Sequence, residues 1–175
     1  CMAWQGVWMA CRIRAALPDA LAVLSPIDCA GCGASDRSLC EHCRQALAAA
    51  VTPRTLRDGS TVFTALRYEG VVRRTLLALK ESGRTDVAGP LSVPFAAALS
   101  RAAQPGAEFL AVPTSTAAWR RRGYDPVTLL ARRAGVRPAK VLRTARSTAS
   151  QKTLGADDRA VNLHASMVSR APLHG

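Results

Sequence analysis

The sequence predicts an α/β layered domain preceded by a small four-cysteine module, and three observations carry that prediction. Cys29-Ala-Gly-Cys32 and Cys40-Glu-His-Cys43 form two Cys-x2-Cys pairs separated by seven residues. From residue 60 onward, β-forming runs alternate with stretches of helical periodicity. The 175 residues, 49% of them hydrophobic, suffice for one core and exclude a disordered basic tail.

Taken in order, residues 1–27 form an N-terminal extension. Asp19-Ala-Leu-Ala-Val-Leu24 reads as a short helix that Ser25-Pro26 ends. The chain opens with Cys1, which favours a fragment or a misplaced start, with Met2 or Met9 as candidate starts, over a lipidated mature terminus. Residues 28–50 form the cysteine module. Two such knuckles can aim Cys29, Cys32, Cys40 and Cys43 at one tetrahedral point about 2.3 Å from each sulfur, as a structural zinc site requires. Gly31 and Gly33 suit the tight turn after the first pair. Two disulfides or a redox pair are the alternatives. Disulfides need an oxidising compartment, and a redox site does not need two pairs. Four sulfurs leave no open position for catalytic zinc. Zinc would supply on the order of 10 kcal/mol to so small a module. A helix is expected from Glu41 through Ala50, and His42, Cys1 and Cys11 carry no assigned role.

Residues 60–175 form the α/β domain. Thr61–Tyr68 alternates as a strand, and Val72, Leu76 and Leu79 mark a helix ending near Ser82-Gly83. Asp86 caps an expected helix to about Ala103, with Pro94 as a kink. Phe109–Val112 is an all-apolar strand of the kind buried in parallel sheets. Residues 113–125 are expected as a polar loop at that strand's carboxyl end, where ligands bind in open α/β sheets. A helix over 126–134, a strand near Val141-Leu142 and a helix near 156–163 complete the order.

The formal charge is +12, and it is uneven: residues 1–50 are neutral, residues 51–118 carry +3, and residues 119–175 carry +9. The excess gathers around Arg120, Arg121, Arg122, Arg132, Arg133, Arg137, Lys140, Arg143, Arg146 and Lys152. A solvated surface face is the plain alternative to an anion site. Thr114, Ser115, Arg120, Arg121, Arg122 and Gly123, with Lys80, suit a phosphate or pyrophosphate, because guanidinium forks bind two oxygens at once. Trp119 and Tyr124 are the only rings near this cluster, a thin stacking platform. No apolar run approaches the roughly 20 residues of a membrane span, and a cytoplasmic protein is expected.

These pieces form an ordered series. The four cysteines are followed by Tyr68-Glu-Gly70, Leu79-Lys80-Glu-Ser-Gly83, Val112-Pro113-Thr-Ser115 and Arg122-Gly123-Tyr124-Asp125. Arg143-Thr144, Gln151-Lys-Thr-Leu154, Arg159 and Asn162-Leu163 come after. The series resembles the ComF family of competence-related proteins, which join a zinc finger to a type I phosphoribosyltransferase-like domain. That resemblance implies a parallel sheet with helices on both faces, and a link to DNA uptake. Its implied partners are phosphoribosyl pyrophosphate or pyrophosphate, single-stranded DNA and other DNA-uptake proteins. Magnesium is implied only if phosphoribosyl pyrophosphate binds.

The related transferases hold the ribose with an apolar strand, an acidic pair and a Thr-Thr-Gly loop. Asp157-Asp158 lacks both the strand before it and Thr-Thr-Gly after it, and fits a helix start better. The chain is therefore expected to be truncated before that loop. Phosphate-ligand binding, a non-catalytic single-stranded DNA accessory and an inactive fragment follow as its candidate functions.

Overall fold

The computed structural model describes residues 27–35, 37–145 and 166–170. The expected helices at 19–24 and 156–163, and Cys1, Cys11, Arg146, Lys152, Asp157 and Asp158, lie outside them.

Among the described residues the fold mixes helices with small sheets. Helix α1 (Glu41–Gln45) starts directly after Cys40 and carries Cys43, and β1 (Thr52–Thr55) and β2 (Thr61–Thr64) form a hairpin. Helix α2 (Gly70–Glu81) comes next; a 3-10 turn (Thr85–Val87) then leads into α3 (Ala88–Ala102). The remaining elements are α4 (Thr116–Arg122), α5 (Pro126–Arg133), β3 (Leu142–Thr144) and β4 (Met167–Ser169).

Helix α2 forms where its apolar spacing predicts. Val72, Thr75 and Leu79 are its buried residues, three and four positions apart on one face. The Thr75 hydroxyl lies in that face without an unpaired donor because it bonds the Val71 carbonyl at 2.9 Å. In α3, Pro90 sits in the first turn, where its missing amide costs nothing, whereas the fully buried Pro94 interrupts the interior. Leu91 of α3 and Leu130 of α5 share the core. Phe95 of α3 meets Phe109 edge-to-face at 5.9 Å, which anchors the apolar run Phe109–Val112 against the helix.

The core is continuous across the expected boundary between module and domain. Cys29, Leu39, Cys43 and Leu47 belong to one buried cluster with Val72, Leu79, Val87, Ala88, Leu91 and Leu130. A module of some twenty residues has too little apolar surface for its own core. Here it borrows the flank of α2.

Three local expectations change, and one strand is new. The helix expected through Ala50 ends at Gln45. β1, an edge strand of Thr-Pro-Arg-Thr with all four residues exposed, pairs antiparallel with β2 in register Thr52 with Thr64. Residues 113–125 are not all loop, since α4 occupies Thr116–Arg122. The parallel pairing at Phe109–Val112 is a single bridge, Leu110 to Ala139, and β3 pairs antiparallel with β4.

Candidate metal centre and basic cleft

The first cysteine pair sits on a compact turn. The Gly33 amide donates to the Cys29 carbonyl at 2.8 Å, the Cys29 amide to Ala34 O at 2.7 Å, and the Ala30 amide to Ser38 O at 3.1 Å. Together these bonds fold the two pairs onto each other. Gly31 is required by space: a Cβ there would lie 2.6 Å from Cys43 Sγ, 2.9 Å from Cys43 Cβ and 3.0 Å from Val71 Cγ1.

The sulfurs of Cys29, Cys32, Cys40 and Cys43 all lie within 4.8 Å of one another, with Cys32 and Cys40 at 3.6 Å. A tetrahedral centre with sulfur at 2.3 Å sets its ligands roughly 3.8 Å apart, so the four thiols fit one metal ion. Cys29 and Cys43 are buried, Cys40 is half-buried and Cys32 is exposed.

Burial pushes the Cys29 thiol upward, but the amides of Cys40, Cys32 and Gly31 outweigh it and bring the group down to about 6. The Cys40 amide is 3.3 Å from that sulfur. Cys43 moves the other way. Burial raises it, and the neighbouring thiols and the Cys29 charge add to the rise. A cation held at the centre would supply the compensation that four crowded thiolates need.

Two arginines of the α/β domain hold this site from outside. Arg74 of α2 donates from Nε to the Gly31 carbonyl. Arg84 donates from Nη1 to Asp28 O at 3.0 Å and from Nη2 to Ser38 O at 3.3 Å. Asp86 orients Arg84 through three contacts between 2.7 and 3.1 Å.

The second feature lies beyond Phe109–Val112. Ser115 caps α4 by accepting the Ala118 amide at 3.3 Å, and Gly123, at φ 76°, ends it in the left-handed region that glycine tolerates. Thr114 donates to Asp125 Oδ2, while the other oxygen of Asp125 accepts the Thr128 amide at 2.6 Å and caps α5.

Not all the residues expected to bind phosphate line the cleft. Arg121 pairs with Glu81 at 2.9 Å, and Arg122 donates to the Lys80 carbonyl at 3.0 Å. The Tyr124 hydroxyl donates to Leu79 O; burial leads in raising its pKa, which keeps the phenol a donor. These three groups latch α4 and its following turn onto the last turn of α2. Arg120 and the Lys80 side chain stand exposed, apart from the cleft lining.

The cleft of about 640 Å³ takes Thr114 and Gly123 from the expected set, and adds Trp119, Arg132, Lys140 and Arg170. A second cleft of about 750 Å³ shares Thr128, Arg132, Pro138 and Lys140 with the first and adds Arg137. Arg132, Arg137, Lys140 and Arg170 are all exposed, and Asp125 is the one carboxylate among the residues lining the two. Charge counting along the sequence marks Arg132, Arg137 and Lys140 as basic. It carries no signal for bringing them to one cleft with Arg170, because those contacts are tertiary.

No protein-family profile matches the sequence, and a search of curated proteins returns no match.

Among the described residues, no helix is long and apolar enough to cross a membrane.

Proposed function

We propose that the chain is a ComF-like protein of the phosphoribosyltransferase superfamily, associated with DNA uptake, that binds a phosphate-bearing ligand in the basic cleft. Structural zinc at Cys29, Cys32, Cys40 and Cys43 holds the fold that presents the cleft.

One observation carries the reading. Arg132, Lys140 and Arg170 line a cleft whose single carboxylate, Asp125, is engaged on both oxygens by Thr114 and Thr128. Several guanidinium and ammonium groups left facing solvent outnumber this one carboxylate and give a site of positive potential, which low-dielectric walls strengthen. Gly123 adds a stretch of backbone bare of any side chain at the same place.

Phosphoribosyl pyrophosphate is the small ligand this reading names, with magnesium as its companion ion. The proposal concerns binding, since no acidic pair followed by Thr-Thr-Gly occurs in the sequence. Calorimetric titration with phosphoribosyl pyrophosphate, with and without magnesium, tests it. Binding at micromolar concentration is expected, and no heat at millimolar ligand would overturn it.

A second reading rests on Trp119, a residue 50% exposed that lines the cleft beside the cations. An aromatic face next to a basic groove suits single-stranded DNA. Neutralising about four phosphates on a single strand gives a log–log salt slope near −3. A slope near zero with a labelled oligothymidylate would remove this reading.

A further inference from the structure

The two sites share a support. Helix α2 and the residues just after it touch the cysteine module on one side and the cleft's latch on the other. On the module side, Arg74 bonds Gly31 O, and Val71 Cγ1 stands where a residue-31 Cβ would press at 3.0 Å. Arg84 reaches back to the approach to each cysteine pair, through Asp28 O before the first and Ser38 O before the second. On the cleft side, three consecutive residues of α2 are engaged: Leu79 O by Tyr124, Lys80 O by Arg122, and the Glu81 carboxylate by Arg121. Only Ser82 and Gly83 separate this latch from Arg84, and the amides of Ser82 and Arg84 both close on Ala78 O at 3.2 Å.

We infer that Arg84 is a positioning residue for the metal centre, and that through α2 it couples metal retention to ligand occupancy of the cleft. The inference deepens the proposed function, and its coupling half rests on that reading. Arg84 is suited to the task because one planar fork, fixed by Asp86, satisfies two carbonyls that flank the cysteines in sequence: Asp28 beside Cys29, and Ser38 two residues before Cys40. Groups behind a metal's ligands orient those ligands, and losing one typically costs about 10–100-fold in metal affinity. Gly123 and Tyr124 line the cleft directly, so a ligand that orders them also orders the last turn of α2. By linkage, a ligand that tightens α2 raises the affinity for the metal, and the metal raises the affinity for the ligand by the same factor; tighter metal is expected to leave more slowly.

The test uses the full chain loaded with zinc and measures zinc release to a chromophoric chelator. Wild type is compared with Arg84→Ala and Arg84→Lys, each with and without saturating inorganic pyrophosphate. Circular dichroism before chelator addition selects folded protein. Arg84→Ala is expected to release zinc at least about tenfold faster. Arg84→Lys keeps the charge but not the fork, and is expected between the two. Pyrophosphate is expected to slow release from wild type and to have little effect on either variant.

Equal release rates for wild type and both variants would overturn the positioning role. If Arg84→Ala fails to fold, Arg84→Lys decides the same point. Pyrophosphate that binds wild type calorimetrically yet leaves zinc release unchanged would overturn the coupling. Absence of pyrophosphate binding to zinc-loaded wild type would instead remove the cleft reading and the coupling with it, leaving the Arg84 rates to judge the metal half alone.

Discussion

Gly31 shows how one backbone position can decide a metal site. It stands between Cys29 and Cys32 with Cys43 Sγ, Cys43 Cβ and Val71 Cγ1 all crowding the place a Cβ would take. Gly31→Ala is therefore expected to push the first knuckle away from the second pair or from α2. Overpacking of this kind costs about 1–3 kcal/mol. Denaturant unfolding of the zinc-loaded variant checks this, and an unchanged midpoint would contradict it. The cysteine spacing made the four-cysteine cluster legible in sequence, because two Cys-x2-Cys pairs state their geometry locally. Arg74 and Arg84 were not legible, since their partners are carbonyls more than forty residues away and no side-chain pattern marks a carbonyl. Arg121 and Arg122 illustrate the converse. An Arg-Arg-Arg run reads as an anion site, yet two of its three members hold the end of α2.

At the scale of elements, α4 is the instructive case. Its boundaries were written in the chain: Ser115 as a cap and Gly123 as a stop, with Ala and Arg, both good helix formers, between them. The run's polarity suggested a loop because it offers no apolar stripe, and indeed none of its residues is buried. Its support comes from the cap and the latch. Ser115→Ala is expected to cost about 1 kcal/mol, the usual value of an N-cap. Tyr124→Phe, which leaves Leu79 O without this donor, is expected to cost a similar amount. Thermal unfolding of each variant measures both, and unchanged melting would contradict the latch. α2, α3 and α5 were legible in place and extent, but Asp86, expected to cap α3, lies in the preceding 3-10 turn and binds Arg84, and Val87 takes the cap position without a side-chain bond. β1 was not, because Thr-Pro-Arg-Thr is exposed throughout and forms a strand by pairing with β2. Pairing between segments distant in sequence is likewise what the run Phe109–Val112 could not announce. Its apolar character was plain, but its single parallel bridge to Ala139 is a tertiary fact.

For the molecule as a whole, the continuous core changes how the cysteine module should be regarded. Cys29 and Cys43 are buried in the same cluster as Leu79, Leu91 and Leu130. Metal removal should therefore be felt throughout. Chelation is expected to lower the melting temperature of the whole chain as one cooperative transition. A separate low-temperature step for the module, with the main transition unmoved, would contradict the shared core. The same frame carries Arg132, Arg137, Lys140 and Arg170 to the two adjoining clefts.

The central claim is that these cations form a phosphate site. Calorimetric titration of phosphoribosyl pyrophosphate into zinc-loaded wild type and an Arg132→Ala/Lys140→Ala variant tests it most directly. The account predicts micromolar binding that weakens at least about tenfold when both exposed cations are removed, as about 1.4 kcal/mol of lost charge-assisted contact would require. Equal affinity in the folded variant, or no binding by either protein, would contradict it.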